Sequence, residues 1–480
     1  MRPEQEVLRF QKLKALRENG FSFPNQIKPT ILGDSFQTVE IKEGEEFTVC
    51  GRVTQKRVMG KASFIHILDS KAKIQLYGRK DELSDYDDLC ESDLGDIISG
   101  TGTIFITKTG ERTIHLKSWK LLVKALVPLP EKWHGLSDVE ARYRYRYLDL
   151  ISNPEVRENF KKRSEIVQKV REFLVQHQFL EVETPVLHYV PAGASAKPFK
   201  THHNALGTDM YLRVALELPL KKLVVGGLER VFEIGRNFRN EGISRKHNPE
   251  FTMLEFYQAY ATFEDLMILT EKLFLKLADE VLSSRKLTYG ELEVDLSPPW
   301  KRISMEDSVR EIGGVDGNLR DIKVLHEAAA RNKIHLEEKG DWGRCLEALW
   351  GALVEPKLIN PTFITHHPFS ISPLARKTEN DPLITDRFEL IVAGMEMANA
   401  FSELNDAEDQ RERFEEQARR KDAGDEEAHD MDEDFIRALE VGLPPTAGEG
   451  IGIDRLVMLF TNSTNIRDVV LFPQLKPDVV

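Results

Sequence analysis

Residues 230–257 read RVFEIGRNFRNEGISRKHNPEFTMLEFY, a pattern of strand, polar loop and strand. Side chains alternate faces along a strand, so residues of one parity share a face. On the first arm Phe232, Ile234 and Phe238 form an apolar face, whereas Arg239 and Glu241 fall together on the other. The loop from Gly242 to Pro249 carries Arg245, Lys246 and His247. On the return arm Phe251, Met253, Glu255 and Tyr257 share one face. A guanidinium, a carboxylate and an aromatic ring on one antiparallel floor suit a ligand with phosphate, amine and a flat base. Parity alone is equally compatible with a polar-faced hairpin of solvated charges.

The rest of the chain sets the bounds. At 480 residues and 55.0 kDa it exceeds one ordinary domain, so two or three are expected. With 41% hydrophobic and 30% charged residues it has the composition of a soluble globular protein. It contains no apolar run of about 18 residues, so no transmembrane helix and no membrane partner are expected. The opening Met-Arg-Pro-Glu-Gln-Glu lacks the apolar segment of a signal peptide, so a cytoplasmic location is expected. Cys50, Cys90 and Cys345 are far apart, as reduced thiols would be, and form no zinc pair. The net charge of −13 is concentrated rather than spread. Residues 401–440 hold 6 basic against 16 acidic residues, whereas residues 1–150 hold 24 against 22. The N-terminal third is therefore free to face a polyanion.

From the N-terminus, Val7, Leu8, Phe10, Leu13 and Leu16 recur at helical spacing until Asn19-Gly20. A Pro-bearing linker, 21–31, follows. Short alternating strands then run from about 47 to 126, separated by turns such as Met59-Gly60 and Lys108-Thr109-Gly110. Five such strands suggest a small Greek-key barrel of OB type, a fold that commonly binds single-stranded nucleic acid. On it Phe64 is placed to stack on a base and Gln75 to hydrogen-bond to one, unless they are a core ring and a surface amide.

Pro128 to Leu136 reads as a stiff connector, and the Arg/Tyr alternation of 141–147 as packing between domains or subunits. Residues 154–178 form an amphipathic helix, continued by a strand, Phe179 to Pro185. A small-residue loop around Gly193 lets a ligand approach the backbone. Glu217 sits where a strand from Met210 runs into a helix. The pairs His202-His203 and His366-His367 point opposite ways on an extended chain, which favours packing over a metal site. No motif emerges between 290 and 372.

Residues 386–405 form a second cluster. Ala393-Gly394 is read as a two-residue hairpin turn, which pairs Val392 with Met395 and Ile391 with Glu396. Glu389 and Glu396 become diagonal neighbours on one face. Two carboxylates so placed repel unless a cation lies between them, or unless both are solvated at an edge. Asn399, Phe401 and Glu403 follow on the opposite parity, so a bulge or strand end must intervene if they join the same pocket. Asn405 with Glu408 marks a helix start, and the acidic run to Glu440 reads as a solvated helical arm. Gly448, Gly450 and Gly452 precede Arg455 at another helix start, with a spacing unlike that of a dinucleotide fold.

These stretches resemble the class II aminoacyl-tRNA synthetases. Phe238 to Glu241 is similar to motif 2, and the continuation to Tyr257 resembles the lysine-specific branch of bacterial type. Helix 154–178 with its strand and Pro185 resembles motif 1, and Gly448 to Arg455 resembles motif 3, here with Asp454 where the wider class has glutamate. The three motifs stand in order, and neither class I signature is present. Gly60 to Phe64, Lys73 to Tyr77 and Glu111 are similar to the anticodon-binding barrel of lysyl-tRNA synthetases.

The resemblance implies an α+β architecture. An N-terminal OB-type barrel (31–127, after a helix and linker over 1–30) leads through a connector (128–150) to a catalytic domain (151–480). That domain is built on an antiparallel sheet flanked by helices, with an insertion at about 290–372. The resemblance also implies lysine activation by ATP to lysyl-adenylate, transfer to the 3′ end of tRNA(Lys), Mg²⁺ and a homodimer. Arg239 and Arg455 would be catalytic, and Glu241, His247, Asn248 and Phe251 would complete the ATP site. Glu389 and Glu396 would hold Mg²⁺. Glu403 and Tyr257 would bind the lysine ε-ammonium and Glu217 and Gly193 the α-ammonium, with Glu255, Asn399 and Phe401 as walls. At the position of Leu216 the family usually has proline. Phe64, Gln75 and Glu111 would read the anticodon. Two rivals follow: the aspartate/asparagine branch, which would want a cation where Glu403 stands, and a paralogue attaching lysine to a protein, a kind that usually lacks the barrel.

Overall fold

The computed structural model describes residues 2–70, 72–129, 136, 138–194, 196–336, 341–422 and 431–477. The chain divides into two compact units, residues 1–137 and 138–480. Most of the connector proposed from Pro128 to Leu136, residues 130–135, lies outside the described residues.

In the first unit, helix α1 (Glu4–Glu18) ends at Asn19 and Gly20, where Gly20 takes φ 87°. Its polar side chains fasten it. The Arg9 guanidinium donates to the Leu94 and Ala125 carbonyls at 3.0 and 3.2 Å, and Lys12 reaches Asp93 at 3.0 Å. Of the expected apolar stripe only Leu13 is buried, while Val7 and Leu8 are exposed. Strands β1 (Glu46–Met59), β2 (Ala62–Leu68), β3 (Lys73–Arg79), β4 (Ile97–Ile106) and β5 (Arg112–Val123) close a barrel in the order β1-β2-β3-β5-β4. Period-two alternation puts Ile65, Ile67, Ile74, Leu76, Ile98 and Ile114 into its core. The opposite parity leaves Phe64, His66 and Tyr77 on the outer face.

The second unit is built on eight strands. In chain order these are β6 (Leu180–Glu181), β7 (Arg230–Phe238), β8 (Glu250–Ala259), β9 (Lys301–Ser304), β10 (Thr362–Thr365), β11 (Arg387–Val392), β12 (Met395–Ser402) and β13 (Thr446–Gly452). Their order across the sheet is β9-β10-β11-β12-β13-β8-β7-β6, antiparallel except for the outermost pair at each edge. Helices Pro154–Gln176, Phe263–Leu277 and Ile453–Phe460 bury their apolar faces against it.

Several expectations change. The strand over 179–185 pairs for only two residues, because the Thr184 N–H and hydroxyl both turn to Glu233 Oε2, at 2.9 and 2.7 Å. Residues 138–152 form two short helices that belong to the second unit. There Arg146 is buried and donates to Asp149 (2.7 Å) and to the Arg467 carbonyl (2.6 Å). The Arg/Tyr run thus packs inside its own unit, with Tyr145 and Tyr147 left exposed. The region 290–372 is not wholly inserted, since it supplies β9 and β10. Helices between them carry their own core around Leu325, Leu346 and Leu349. The acidic arm is not wholly solvated either. Helix Ala407–Asp422, capped by Asp406, buries Gln410, Arg413 and Phe414, and Arg413 donates to the Ala375 carbonyl at 2.7 Å. Residues 423–430 of that arm lie outside the described residues.

Candidate active site

A cavity of 1610 Å³ opens on the sheet of the second unit. Its floor is made of rows running across four strands. Glu255, Gly450, Asn399 and Glu389 lie side by side, and so do Tyr257, Gly448, Phe401 and Arg387. The second position of each row, on β13, is glycine for a steric reason. A Cβ on Gly450 would stand 2.9 Å from Met253 Cε, and one on Gly448 would overlap both the Glu403 carboxylate and the Tyr257 ring.

The second sequence cluster folds as its turn residues dictate. Ala393 and Gly394 take φ 52° and 65°, a two-residue turn that pairs Val392 with Met395 and Ile391 with Glu396. Leu390 then pairs with Ala398, which leaves Met397 without a partner. This bulge shifts the parity, so Glu396, Asn399 and Phe401 all border the cavity.

The expected residues converge. Gly193, Glu217, Arg239, Glu241, His247, Asn248, Phe251, Glu255, Tyr257, Glu396, Asn399, Phe401 and Arg455 all border the cavity. Glu403 lies just behind its wall, buried, and Glu389 sits beside Arg387, which donates to it at 2.6 Å.

At one end the site is acidic and closed. Glu217, Glu255 and Glu403 are all buried, and Tyr257 donates to Glu255 Oε2 at 3.2 Å. Burial, followed by the charge of Glu217, pushes the Glu255 carboxyl up to about 7. The N–H of Leu216 donates to Glu255 Oε1 at 3.1 Å, a bond that proline at this position would not make. Lys221, which sequence reasoning passed over, is fully buried and contacts both Glu217 and Glu403. Burial alone would lower its pKa, but those two carboxylates raise it. The other oxygen of Glu403, Oε1, is buried with no hydrogen-bond partner.

The other end is cationic. The Arg239 guanidinium lies 5.2 Å from the Phe251 ring centroid and donates to the Val214 carbonyl at 3.4 Å. Arg455 donates to the Glu396 carbonyl and carboxylate at 2.7 and 3.2 Å, and to His247 Nε2 at 3.3 Å. Burial and the Arg455 charge lower the His247 pKa, so its neutral ring accepts at Nε2 and donates from Nδ1 to Ser244 Oγ at 2.8 Å. Asn248 is buried and donates to the Glu250 carbonyl at 2.6 Å.

Between the ends lies a group of carboxylates. Glu396 and Glu389 each spend one oxygen on an arginine. Glu347 and Glu355, from the region without motifs, have carboxyls raised by burial and further by Glu389. An oxygen-only donor set of this kind suits a hard divalent cation. Among the described residues no three such side chains converge to hold a metal by themselves. A cation here would take its remaining ligands from phosphate and water.

On the barrel, Phe64 lies 4.9 Å from Tyr77, and Tyr77 lies 5.7 Å from Phe105. Gln75 is buried and already engaged: it donates to Glu111 Oε2 at 2.7 Å and accepts from Thr113 Oγ1 at 2.8 Å. His66 joins them, 3.0 Å from Glu111 Oε1. Its signal in the sequence was its parity with Phe64. The histidine pairs are also accounted for. His202 contacts Asp209 at 2.8 Å and His203 accepts from the Leu206 N–H; His366 contacts Thr365 Oγ1, and His367 the Ile364 carbonyl.

Comparison with known proteins agrees with this geometry. Residues 138–476 match the family of class II tRNA synthetases (D, K and N), and residues 47–122 match the OB-fold nucleic acid binding domain. The fold and the site define a class II tRNA synthetase. The chain is 50% identical over 487 residues to a lysine–tRNA ligase of Bacillus subtilis (strain 168), covering 98% of this chain and 97% of that one. It is 51% identical over 486 residues to a lysine–tRNA ligase of Escherichia coli (strain K12), covering 98% and 95%. The chain belongs to the lysine–tRNA ligase family. No helix among the described residues is long and apolar enough to cross a membrane.

Proposed function

We propose that the chain activates L-lysine with ATP to lysyl-adenylate and transfers the lysyl group to the 3′ end of tRNA(Lys), working in the cytoplasm as a homodimer. The observation that carries the amino-acid assignment is Glu403. Its buried Oε1 lacks a partner and lies against Tyr257 and Gly448, a position that an ammonium would both pair and neutralise. An aspartate or asparagine side chain would leave it more exposed to repulsion or unpaired.

Activation needs positioning and neutralisation more than a general base, since a carboxylate is already nucleophilic and attacks the α-phosphate in line. Arg239 would hold the α-phosphate and the lysine carboxylate together. Phe251 and Arg455 would enclose the adenine, and His247 with Arg455 would face the γ-phosphate, beside Glu241 and Asn248. Glu389 and Glu396 would hold Mg²⁺, which when bound neutralises phosphate charge. Glu403 and Tyr257 would take the ε-ammonium, Glu217 and Gly193 the α-ammonium, with Glu255, Asn399 and Phe401 as walls. Phe64, with Gln75 and Glu111, would receive the anticodon.

Support for a dimer comes from the motif 1 segment, where Val175, Leu180, Leu187 and Tyr189 are exposed beside the short edge strand β6. The test is amino-acid-dependent ATP–pyrophosphate exchange with all twenty amino acids, in wild type and in Glu403→Gln. Exchange with lysine alone, collapsing in the variant, is the expected result. Exchange with aspartate or asparagine overturns the specificity, and exchange with none overturns the activity.

A further inference from the structure

Lys221 stands one helical turn after Glu217 on helix Glu217–Val225, so the two side chains share a face. Its Nζ lies 2.5 Å from Glu217 Oε1 and also contacts Glu403 Oε2. The ammonium stands 5.5 Å from the Phe401 ring centroid and 5.7 Å from that of Phe435, and the residue has no exposed surface. A flexible surface lysine would not reproduce this arrangement. Buried charge without excellent geometry is costly, and here the ammonium meets two carboxylates and stands near two aromatic faces.

Two consequences follow from which oxygens Lys221 occupies. It takes one oxygen of each carboxylate, Oε1 of Glu217 and Oε2 of Glu403, and so leaves Glu217 Oε2 and Glu403 Oε1 for another donor. It also links two carboxylates carried by different elements, the start of a helix and the residue just beyond strand β12, and so holds their separation. Lys221 offsets only part of the carboxylate charge that Glu217, Glu255 and Glu403 bring to this end of the cavity.

We propose that Lys221 is a positioning residue for specificity: a resident cross-link that sets the distance between the two ammonium-reading carboxylates and thereby the length of diamino acid accepted. The inference rests on Glu217 and Glu403 being the two ammonium sites. In a pocket that reads only side-chain contact, one methylene is worth about 10- to 200-fold in discrimination. A fixed spacing between two charged readers raises lysine above ornithine because the shorter chain cannot satisfy both.

The experiment is pyrophosphate exchange with lysine and with ornithine, using the full chain and the variants Lys221→Met, Glu217→Gln and Glu403→Gln, each checked by thermal melting. In Lys221→Met the KM for lysine is expected to rise about 10-fold or more while the KM for ATP holds. The lysine-to-ornithine ratio of kcat/KM is expected to fall about 10-fold. A general packing defect would not change that ratio. Should Lys221→Met fail to fold, Lys221→Gln keeps an amide donor without the charge and is read in the same way. A folded Lys221 variant with wild-type lysine KM and an unchanged ratio overturns the proposal. Wild-type lysine KM in both glutamate variants overturns instead the assignment of the ammonium sites.

Discussion

Arg163, on the motif 1 helix, donates to Asp454 Oδ1 across 2.6 Å, and the same carboxylate accepts the Thr252 N–H at 2.7 Å through Oδ2. Asp454 is buried, and the next residue is Arg455. One carboxylate thus joins the helix of motif 1, the return strand of motif 2 and the helix start of motif 3. Its short side chain suffices because all three elements already meet at this point.

Breaking this tie is expected to be costly, because it leaves Arg163 without its buried counter-charge. Asp454→Asn should destabilise the second unit by about 3 kcal/mol, within the range for breaking buried ion pairs. Chemical denaturation followed by circular dichroism measures it. A loss under about 0.5 kcal/mol would place the pair among ordinary surface contacts.

Lysine binding should depend on pH through Glu255. Its carboxyl is raised to about 7 by burial and by Glu217, so the empty site holds a proton below that value. An ammonium ligand favours the ionised form. The KM for lysine should therefore fall as pH rises from 6 to 8, with a slope of at most about tenfold per unit below pH 7. Glu255→Gln should flatten the profile, and an unchanged profile in that variant would assign the dependence elsewhere.

Glu449 faces the other side of β13, paired in register with Phe256 and Ala400, and accepts from Thr270 Oγ1 at 2.7 Å. Burial pushes its carboxyl from 4.5 up to about 8. The folded state therefore holds a proton that the unfolded chain releases, and stability falls as pH rises between 4.5 and 8. Glu449→Gln should reduce the fall in Tm between pH 5 and 8. Equal slopes in both proteins would refute this account.

Phe64→Ala on the barrel should raise the KM for tRNA(Lys) by about 5-fold to 100-fold, the scale of one lost base stack. Amino-acid activation without tRNA should be unchanged. Parallel assays of exchange and aminoacylation separate the two, and a loss in both would indicate misfolding rather than a reading defect.

Leu180→Arg with Tyr189→Glu should shift the chain from dimer to monomer in sedimentation velocity. Persistence of the dimer would move the interface away from the motif 1 edge.

Much of this site was legible in the order and parity of residues. The motif 2 hairpin follows its alternation, with Phe251, Met253, Glu255 and Tyr257 on the cavity side. The turn at Ala393 and Gly394 set the register that places Glu396. What escaped reading lacked a local signal. Glu347 and Glu355 come from a region without motifs and reach the site only through the placement of helix Trp342–Leu353 and the turn after it. Lys221 resembled any surface lysine of an amphipathic helix until its burial was seen. Asp406, rather than Asn405, caps the following helix, a shift of one residue that composition does not resolve.

The unpaired Met397 has a consequence for how this strand can change. On either side of it the strand carries a different chemistry: Glu396 borders the cavity beside Arg455, whereas the amide of Asn399 and the ring of Phe401 border it further along. Because side chains repeat every two residues, losing one residue here would turn one of these halves away from the ligand while leaving the other aimed. Either half can be substituted without disturbing the aim of the other. A change in length at this point cannot be tolerated in the same way, so the strand behaves as two short modules in fixed phase.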